Sequence, residues 1–519
     1  MRVLLVTGRL AKESVERAAS QSSLEVDVVE LPVSVAAFLS PDFIVKQLKN
    51  KISKKYDLLI VPGLVKGDVS IIEDELKIPT FKGPRYASDI PLILDNLDIP
   101  LSKIYPADYI IKKSGIEDYQ SSISQLEKTT IENSRNFKIG RGIKPVYVGL
   151  DFPPRVLAEI VDAPKLDLEK VVSTAEYYIG SGASIIDVGA VVGEDNSSKL
   201  GEIISLLKEK FLVPVSIDSM LPSEIEAGVE AGADLVLSMD QGNIEELKSL
   251  PKNVGVVLLP TNVKMGFLPK TARERVENLL NLYHTAERYG FKKIIVDPLL
   301  ESPISPGLSK SLESYILFRR TNQSLPMMFG VGNVTEFMDV DSVGVNGLLA
   351  CLAVELGVSL LLTTEHSVKT RRSVYELSRA IMMAFLASKR DKTLKDLGLT
   401  LLKSKSKTDY VEPRVGEIEV IETDVADESY VPDPKGYFKI WVNHEEGKLY
   451  VLFSDSSSNR ELLLKGLSAE ALGKKIISLG LVSRMDHALY LGRELSKAET
   501  CLLLGKSYAQ DLNIFGEDE

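Results

Sequence analysis

The chain has 519 residues, a length that suggests about three domains, and its 44% hydrophobic and 26% charged residues are the balance of a folded chain. Sixty-two basic against 73 acidic residues give a net charge of −11. With no dense basic run, nucleic acid and anionic membrane are poor partners. Cys351 and Cys501 are the two cysteines, so a disulfide framework or a cysteine-built metal cluster is excluded. Four scattered histidines (His284, His366, His444 and His487) argue against a dedicated zinc site. The opening MRVLLVTGRL reads as a first strand rather than a signal peptide. The most apolar stretch, Leu348–Leu362, is interrupted by Glu355 and Gly357 and does not read as a membrane span. A cytoplasmic protein is expected.

In residues 1–140 the runs VLLVT, VDVVEL and DLLIVPG alternate with amphipathic stretches, which predicts a Rossmann-like α/β domain. Glycines follow its strands at Thr7-Gly8-Arg9, Gly63–Gly67 and Lys82-Gly83-Pro84. They make tight turns or let a backbone approach a phosphate, but no GxGxxG or Walker pattern occurs. Ser114–Arg141 reads as a polar helix plus linker.

Residues 144–390 hold eight strand-like runs: PVYVGL, SIIDVG, VPVSID, ADLVLSM, VGVVLLP, KKIIVD, PMMFGV and VSLLLT. Helical segments alternate with them, among them Leu168–Ser181, Ser198–Phe211, Ser223–Ala231, Ala272–Tyr289 and Thr370–Ala387. Eight such units in about 245 residues predict a central (β/α)8 TIM barrel, and near-continuous apolar strands fit burial on both faces. The Lys-rich KSKSKTDYVEPRVGE reads as a linker. Residues 410–519 read as a small α+β domain, with a hairpin around His444–Gly447 and helices near Ala469–Leu479 and Asp486–Leu504.

A barrel of this kind builds its active site at the C-terminal ends of its strands. Those positions read Asp151, Asp187, Asp218, Asp240, Asn262, Asp297, Asn333 and Glu365-His366. Any one Asp could be a helix cap, but so many at one rim suggest a ligand rich in N–H donors. A carboxylate can accept two parallel hydrogen bonds from an amidine-like edge such as that of a pterin. It can equally hold Mg²⁺ bridging to a diphosphate.

The motifs GASIIDVGA, VSIDSM, IIVDPLL, FGVGNVTE and TTEHSVKT, in this order, resemble the pterin-binding family that includes dihydropteroate synthase and the methyltetrahydrofolate-dependent corrinoid methyltransferases. With both flanking domains, the chain resembles the archaeal dihydropteroate synthase-related group, to which DHALYLGRELSKAE also points. The resemblance implies a transferase that joins a dihydropterin diphosphate to an arylamine in folate- or methanopterin-type coenzyme biosynthesis. It implies pterin contacts from Asp218, Asp240, Asp297 and Asn333. Asp187, His366 and Lys369 become catalytic candidates, and Asp151, Arg155 and Arg371 candidate diphosphate contacts.

The loops depart from the bacterial synthase pattern. Leu150–Arg155 stands where that family has Asn-Val-Thr-Pro-Asp-Ser, and Ala190–Gly193 replaces a Glu-Ser-Thr-Arg-Pro segment. Gly332-Asn333-Val334 replaces Ser-Arg-Lys, and Thr364-Glu365-His366 replaces Arg-x-His. Gly330–Asn333 and Asp297-Pro298-Leu299 look instead like the methyltransferase branch, in which the acceptor corrinoid would arrive on a partner protein. A third reading is a non-catalytic pterin carrier or assembly subunit. A homo-oligomer is compatible with all three. His487 is a ligand candidate or a packing histidine.

Overall fold

The computed structural model describes residues 1–515 apart from 50, 53, 96–99, 141–143, 392, 396, 406–420, 422–430 and 459. The chain divides into two compact units, Met1–Thr130 with Ile381–Ile421, and Ile131–Ala380 with Glu422–Glu519. Most of the Lys-rich linker lies outside the described residues. Among them, no helix is long and apolar enough to cross a membrane.

The first unit is a parallel sheet of β1 (Arg2–Thr7), β2 (Glu25–Glu30), β3 (Leu58–Val61) and β4 (Thr80–Lys82), ordered β2-β1-β3-β4. Successive residues of β1 serve opposite faces. Leu4 and Val6 join one apolar cluster while Val3 and Leu5 join another, so the strand is buried on both sides. Lys82 ends β4, so Gly83 follows the strand directly. Helix Ala107–Thr129 packs Tyr119 against Leu386, Leu397 and Leu399.

In the second unit a small antiparallel pair, β5 (Asn136–Ile139) and β6 (Val146–Gly149), precedes a closed parallel barrel. The barrel strands are β7 (Arg155–Ile160), β8 (Ile185–Gly189), β9 (Val215–Asp218), β10 (Leu235–Met239), β11 (Gly255–Leu258), β12 (Ile294–Val296), β13 (Met327–Gly330) and β14 (Val358–Thr364). Eight parallel strands are thus present, but the first is not PVYVGL. That run is β6, and Pro153-Pro154 ends it because proline offers no N–H to a ladder. Residues 155–160 supply the barrel strand instead, pairing with both β14 and β8.

Phe137, Ile139 and Val148 of the β5–β6 pair join the barrel's interior residues Leu157, Ile185, Leu237, Val257, Ile295, Met328 and Leu360 in one apolar cluster. The pair therefore plugs the end where the strands begin, and the opposite end is left for a site. Between β10 and β11 a short 3₁₀ turn, Glu246–Ser249, stands where a full helix was expected.

The C-terminal part of this unit is a meander of β15 (Gly436–Asn443), β16 (Lys448–Asp455) and β17 (Glu461–Gly466) with helices Ala469–Ser478 and Met485–Leu504. The hairpin and both helices follow the sequence reading, and β17 is an addition to it. Asp433 ties this part together at 2% exposure. It accepts from the N–H groups of Ser483 (2.8 Å), Arg484 (2.9 Å) and Lys435 (2.9 Å) and from the Ser483 hydroxyl (2.8 Å). Burial alone would raise this carboxyl, but those donors outweigh it and hold it far below the usual range.

Candidate active site

Side chains alternate along a strand, so the interior layer fixes what lies above it. Two residues beyond Leu157 is Glu159, two beyond Ile185 is Asp187, and two beyond Ile295 is Asp297. Ser216 turns inward as well, since its hydroxyl reaches Asp187 Oδ1 at 2.5 Å, and two residues on is Asp218. Four carboxylates therefore stand in the barrel at its C-terminal mouth. Glu159 and Asp187 are register partners on β7 and β8. One carboxylate oxygen from each of Glu159, Asp187 and Asp218 lies within 4.8 Å of the others.

Asp187 has 0% exposure, and among the described residues its Oδ2 has no hydrogen-bond partner. Asp218 accepts from Ser238 Oγ at 2.6 Å. Asp297, 5% exposed, accepts on Oδ1 from the Tyr315 hydroxyl (2.7 Å) and the Leu299 N–H (2.8 Å). Among the described residues, both of these aspartates accept on Oδ1 alone. Gly189 makes room for the cluster, because a Cβ there would stand 2.6 Å from Glu159 Oε1.

Burial, reinforced by the like charges of Asp218, Glu336 and Asp162, pushes Glu159 up to about 8. Burial, then Asp218 and Glu159, hold Asp187 well above the usual carboxylate range, against the pull of Ser216 and the Val188 N–H. Asp218 is raised by burial, with Ser238 opposing. Asp297 is pushed up to about 6 by burial, with Tyr315 and Leu299 opposing. Three crowded carboxyl groups cannot all ionise, so the cluster retains a proton or gains a cation near neutral pH.

The remaining candidates are distributed unevenly. Asp240, 0% exposed, accepts from the Gly242 N–H (2.7 Å), the Thr261 hydroxyl (2.9 Å) and the Val263 N–H (2.7 Å), so both oxygens hold loops. Asn262 caps a short turn through Met265 N. Asn333 donates to the Leu300 carbonyl at 3.0 Å and fills the space beside Gly330, whose Cβ would meet its Nδ2 at 2.8 Å. His366 follows β14 and is exposed. Lys369 pairs with Asp339 at 2.9 Å. Arg371 donates to the Gly505 carbonyl (3.0 Å) and Arg372 to that of Leu503 (2.7 Å), so both cap the C-terminal helix.

Asp151 and Arg155 sit at the other end of the barrel. Asp151 pairs with Arg135 (2.9 Å) and accepts from Asn136 Nδ2 (2.6 Å), both on or beside β5. Arg155 begins β7, buried, with its Nε on the Tyr147 carbonyl at 2.9 Å. The strand-end position that the sequence reading gave to Asp151 belongs to Glu159, which that reading did not single out. The signal was present in Pro153-Pro154, which separates the two apolar runs. His487 packs in the C-terminal core, its ring 5.9 Å from Phe438 and 5.5 Å from Tyr490.

Residues 160–359 match the family described as "Pterin binding enzyme". Residues 1–85 match "Family of unknown function (DUF6513)" and residues 432–511 match "PterinBD-DUF4346". An uncharacterized protein of Methanocaldococcus jannaschii is 36% identical over 529 residues, spanning 99% of each chain. The chain belongs to the pterin-binding, dihydropteroate synthase-like family. A dihydropteroate synthase of Clostridium beijerinckii is 37% identical to this family member over 113 residues, 20% of this chain and 40% of that enzyme. Among solved structures, the pterin-binding barrel is similar to dihydropteroate synthase from Xanthomonas albilineans in complex with 7,8-dihydropteroate. That match has 20% identity and a TM-score of 0.37, over 47% of this chain and 95% of that one. The Yersinia pestis synthase with a sulfonamide drug complex gives 17% identity and a TM-score of 0.39, over 49% and 100%.

Proposed function

We propose that the barrel holds a pterin ring between Asp218 and Asp297 and acts as a dihydropteroate synthase-like transferase, joining a dihydropterin diphosphate to an arylamine. The observation that carries this reading is the pair of inward aspartates, each with one oxygen fixed by protein donors and the other open. Such a carboxylate accepts N–H donors from the 2-amino and N3 edge of a pterin, and charge-assisted bonds of this kind strengthen as a ligand excludes water.

In the reaction the arylamine nitrogen attacks the methylene carbon on the ring. The carbon–oxygen bond to diphosphate breaks, diphosphate leaves with the electron pair, and the amine loses one proton. The chain's part is to orient ring and amine and to accept that proton at a mouth carboxylate. His366, exposed beside the mouth, is the side chain we assign to the diphosphate. Arg155 and Arg371 are engaged with backbone carbonyls elsewhere and drop out of that role.

The test is calorimetric titration with a dihydropterin diphosphate and a panel of arylamines while diphosphate release is followed. Release that depends on an arylamine supports the reading. Tight pterin binding without release under any condition overturns the transferase step.

A second reading, methyl transfer from a reduced methyl-pterin to a corrinoid protein, draws on Asn333. Its amide nitrogen is tethered to Leu300, which leaves its oxygen for a ring N–H. Cobalt methylation followed by absorbance distinguishes the two.

A further inference from the structure

We propose that the C-terminal domain is a clamp on the loop between β14 and the helix Ser373–Lys389, and that through Arg371 and Arg372 it positions His366 at the barrel mouth. The loop is first closed on itself. Glu365, at its start, accepts from the Tyr177 hydroxyl at 3.0 Å and from the Val374 N–H at 3.0 Å. The Arg372 N–H donates to the same carboxylate. One side chain therefore ties both ends of the loop, and His366 and Lys369 lie on the stretch between.

The far end of that loop is also held by the C-terminal domain. Arg371 donates to the Gly505 carbonyl at 3.0 Å, and Arg372 Nη1 to that of Leu503 at 2.7 Å. These carbonyls close the helix Met485–Leu504, where partners within the helix run out and the dipole is negative, so two guanidinium groups complement them. The hairpin tip braces the same helix end through His444 Nε2 on the Lys506 carbonyl (3.0 Å). Glu445 beside it pairs with Lys170 of the barrel helix Leu168–Ser181.

Both sides of the junction are shaped for it. Arg372 has φ +75°, a left-handed conformation that a residue with a side chain seldom adopts, and its guanidinium lies 5.1 Å from the Tyr375 ring centroid. Gly505 has φ +76°, and a Cβ there would stand 3.1 Å from Arg372 Cδ. A strained arginine laid against a glycine marks a junction that fixes the loop, beyond attaching one domain to another. The clamp rests on these contacts alone. Its effect on a ligand rests on the pterin reading, with the ring on Asp218 and Asp297 and the diphosphate at His366. Arg371 and Arg372 are positioning residues in it, since they act through the loop.

Hydrogen–deuterium exchange of the ligand-free full chain, read by mass spectrometry, tests the clamp. Arg371→Ala, Arg372→Ala and Gly505→Val should each speed exchange across residues 366–374 about 10-fold, as loss of a charge-assisted bond implies. Peptides from β9 and β12 should be unchanged. Arg372→Lys, which keeps a cation at the Leu503 carbonyl, should retain most of the protection, and Arg493→Ala, an exposed cation on the same helix, should retain all of it. Circular dichroism melts verify that every variant folds, and the two alanine variants suffice if Gly505→Val does not. Parent-like exchange in the folded variants would overturn the clamp. Calorimetry then compares a hydroxymethyl-dihydropterin diphosphate with the same pterin lacking diphosphate. Arg371→Ala should bind the first about 10-fold more weakly and the second like the parent. Equal loss for both ligands, or for neither, would overturn the positioning of His366. Faster exchange in a chain that binds neither ligand removes the pterin reading and leaves the clamp.

Discussion

Asp433 and Asp187 are aspartates with 2% and 0% exposure in the same compact unit, yet their surroundings differ in kind. Asp433 gathers three backbone N–H groups and a hydroxyl, so its charge is satisfied and its carboxyl stays ionised far below the usual range. Asp187 has Ser216 on one oxygen, no hydrogen-bond partner for the other among the described residues, and two more carboxylates beside it. The first aspartate organises the chain around itself. The second is held by the barrel in a condition that only a proton or a cation relieves. Burial alone therefore does not mark a functional carboxylate, whereas burial with an unmet oxygen does.

That contrast can be broken most strongly at Asp433. Asp433→Ala should destabilise the chain by about 3 kcal/mol, since it strands several buried donors, as measured by urea unfolding. Because its folded pKa is depressed, the Asp433 contribution is present above pH 3.8 and is lost as pH falls towards the folded value. A variant that melts like the parent would refute its organising role.

At the mouth, Asp297→Asn should weaken pterin affinity by about 1.5–3 kcal/mol, the range for a charge-assisted hydrogen bond. Parent affinity should rise with pH through about 6 as the carboxyl ionises, and the Asn variant should lose that rise. Stability moves the opposite way. The raised pKa contributes stability that is full below pH 3.8 and is lost as pH rises through about 6. Calorimetry and thermal melts across pH 4–8 check both signs.

Asp187→Asn should stabilise the cation-free chain by about 1 kcal/mol, because the new amide can donate to a neighbouring carboxylate. A loss like that at Asp433 would erase the distinction between the two sites. The smallest effect is expected at Asp151, a partly exposed ion pair with Arg135 at the plugged end. Asp151→Ala should cost about 0.5–1 kcal/mol and leave pterin affinity unchanged in the same titration.

Much of the fold was legible because its signals are local. The alternation of apolar runs and amphipathic segments predicts the barrel and the N-terminal sheet, and the C-terminal hairpin and helices fall close to their expected bounds. The mouth residues Asp187, Asp218 and Asp297 could be read because each ends an unmistakable apolar strand. Glu159 could not, since two apolar runs, PVYVG and RVLAEI, lie six residues apart and compete for the role of first strand. Asp240 and Arg371 look like site residues in one dimension. Their partners, Thr261 and Gly505, lie 21 and 134 residues away.

The sequence by itself determined that this chain builds a (β/α)8 barrel with aspartates at strand ends, because hydrophobic period and strand-end chemistry are written residue by residue. Only the tertiary structure decided which carboxylates meet. It closes β7 against β14 and β8, turns Glu159 towards Asp187 and sends Asp151 to the opposite end. Side-chain convergence depends on barrel closure and register, and neither is a property of any single segment.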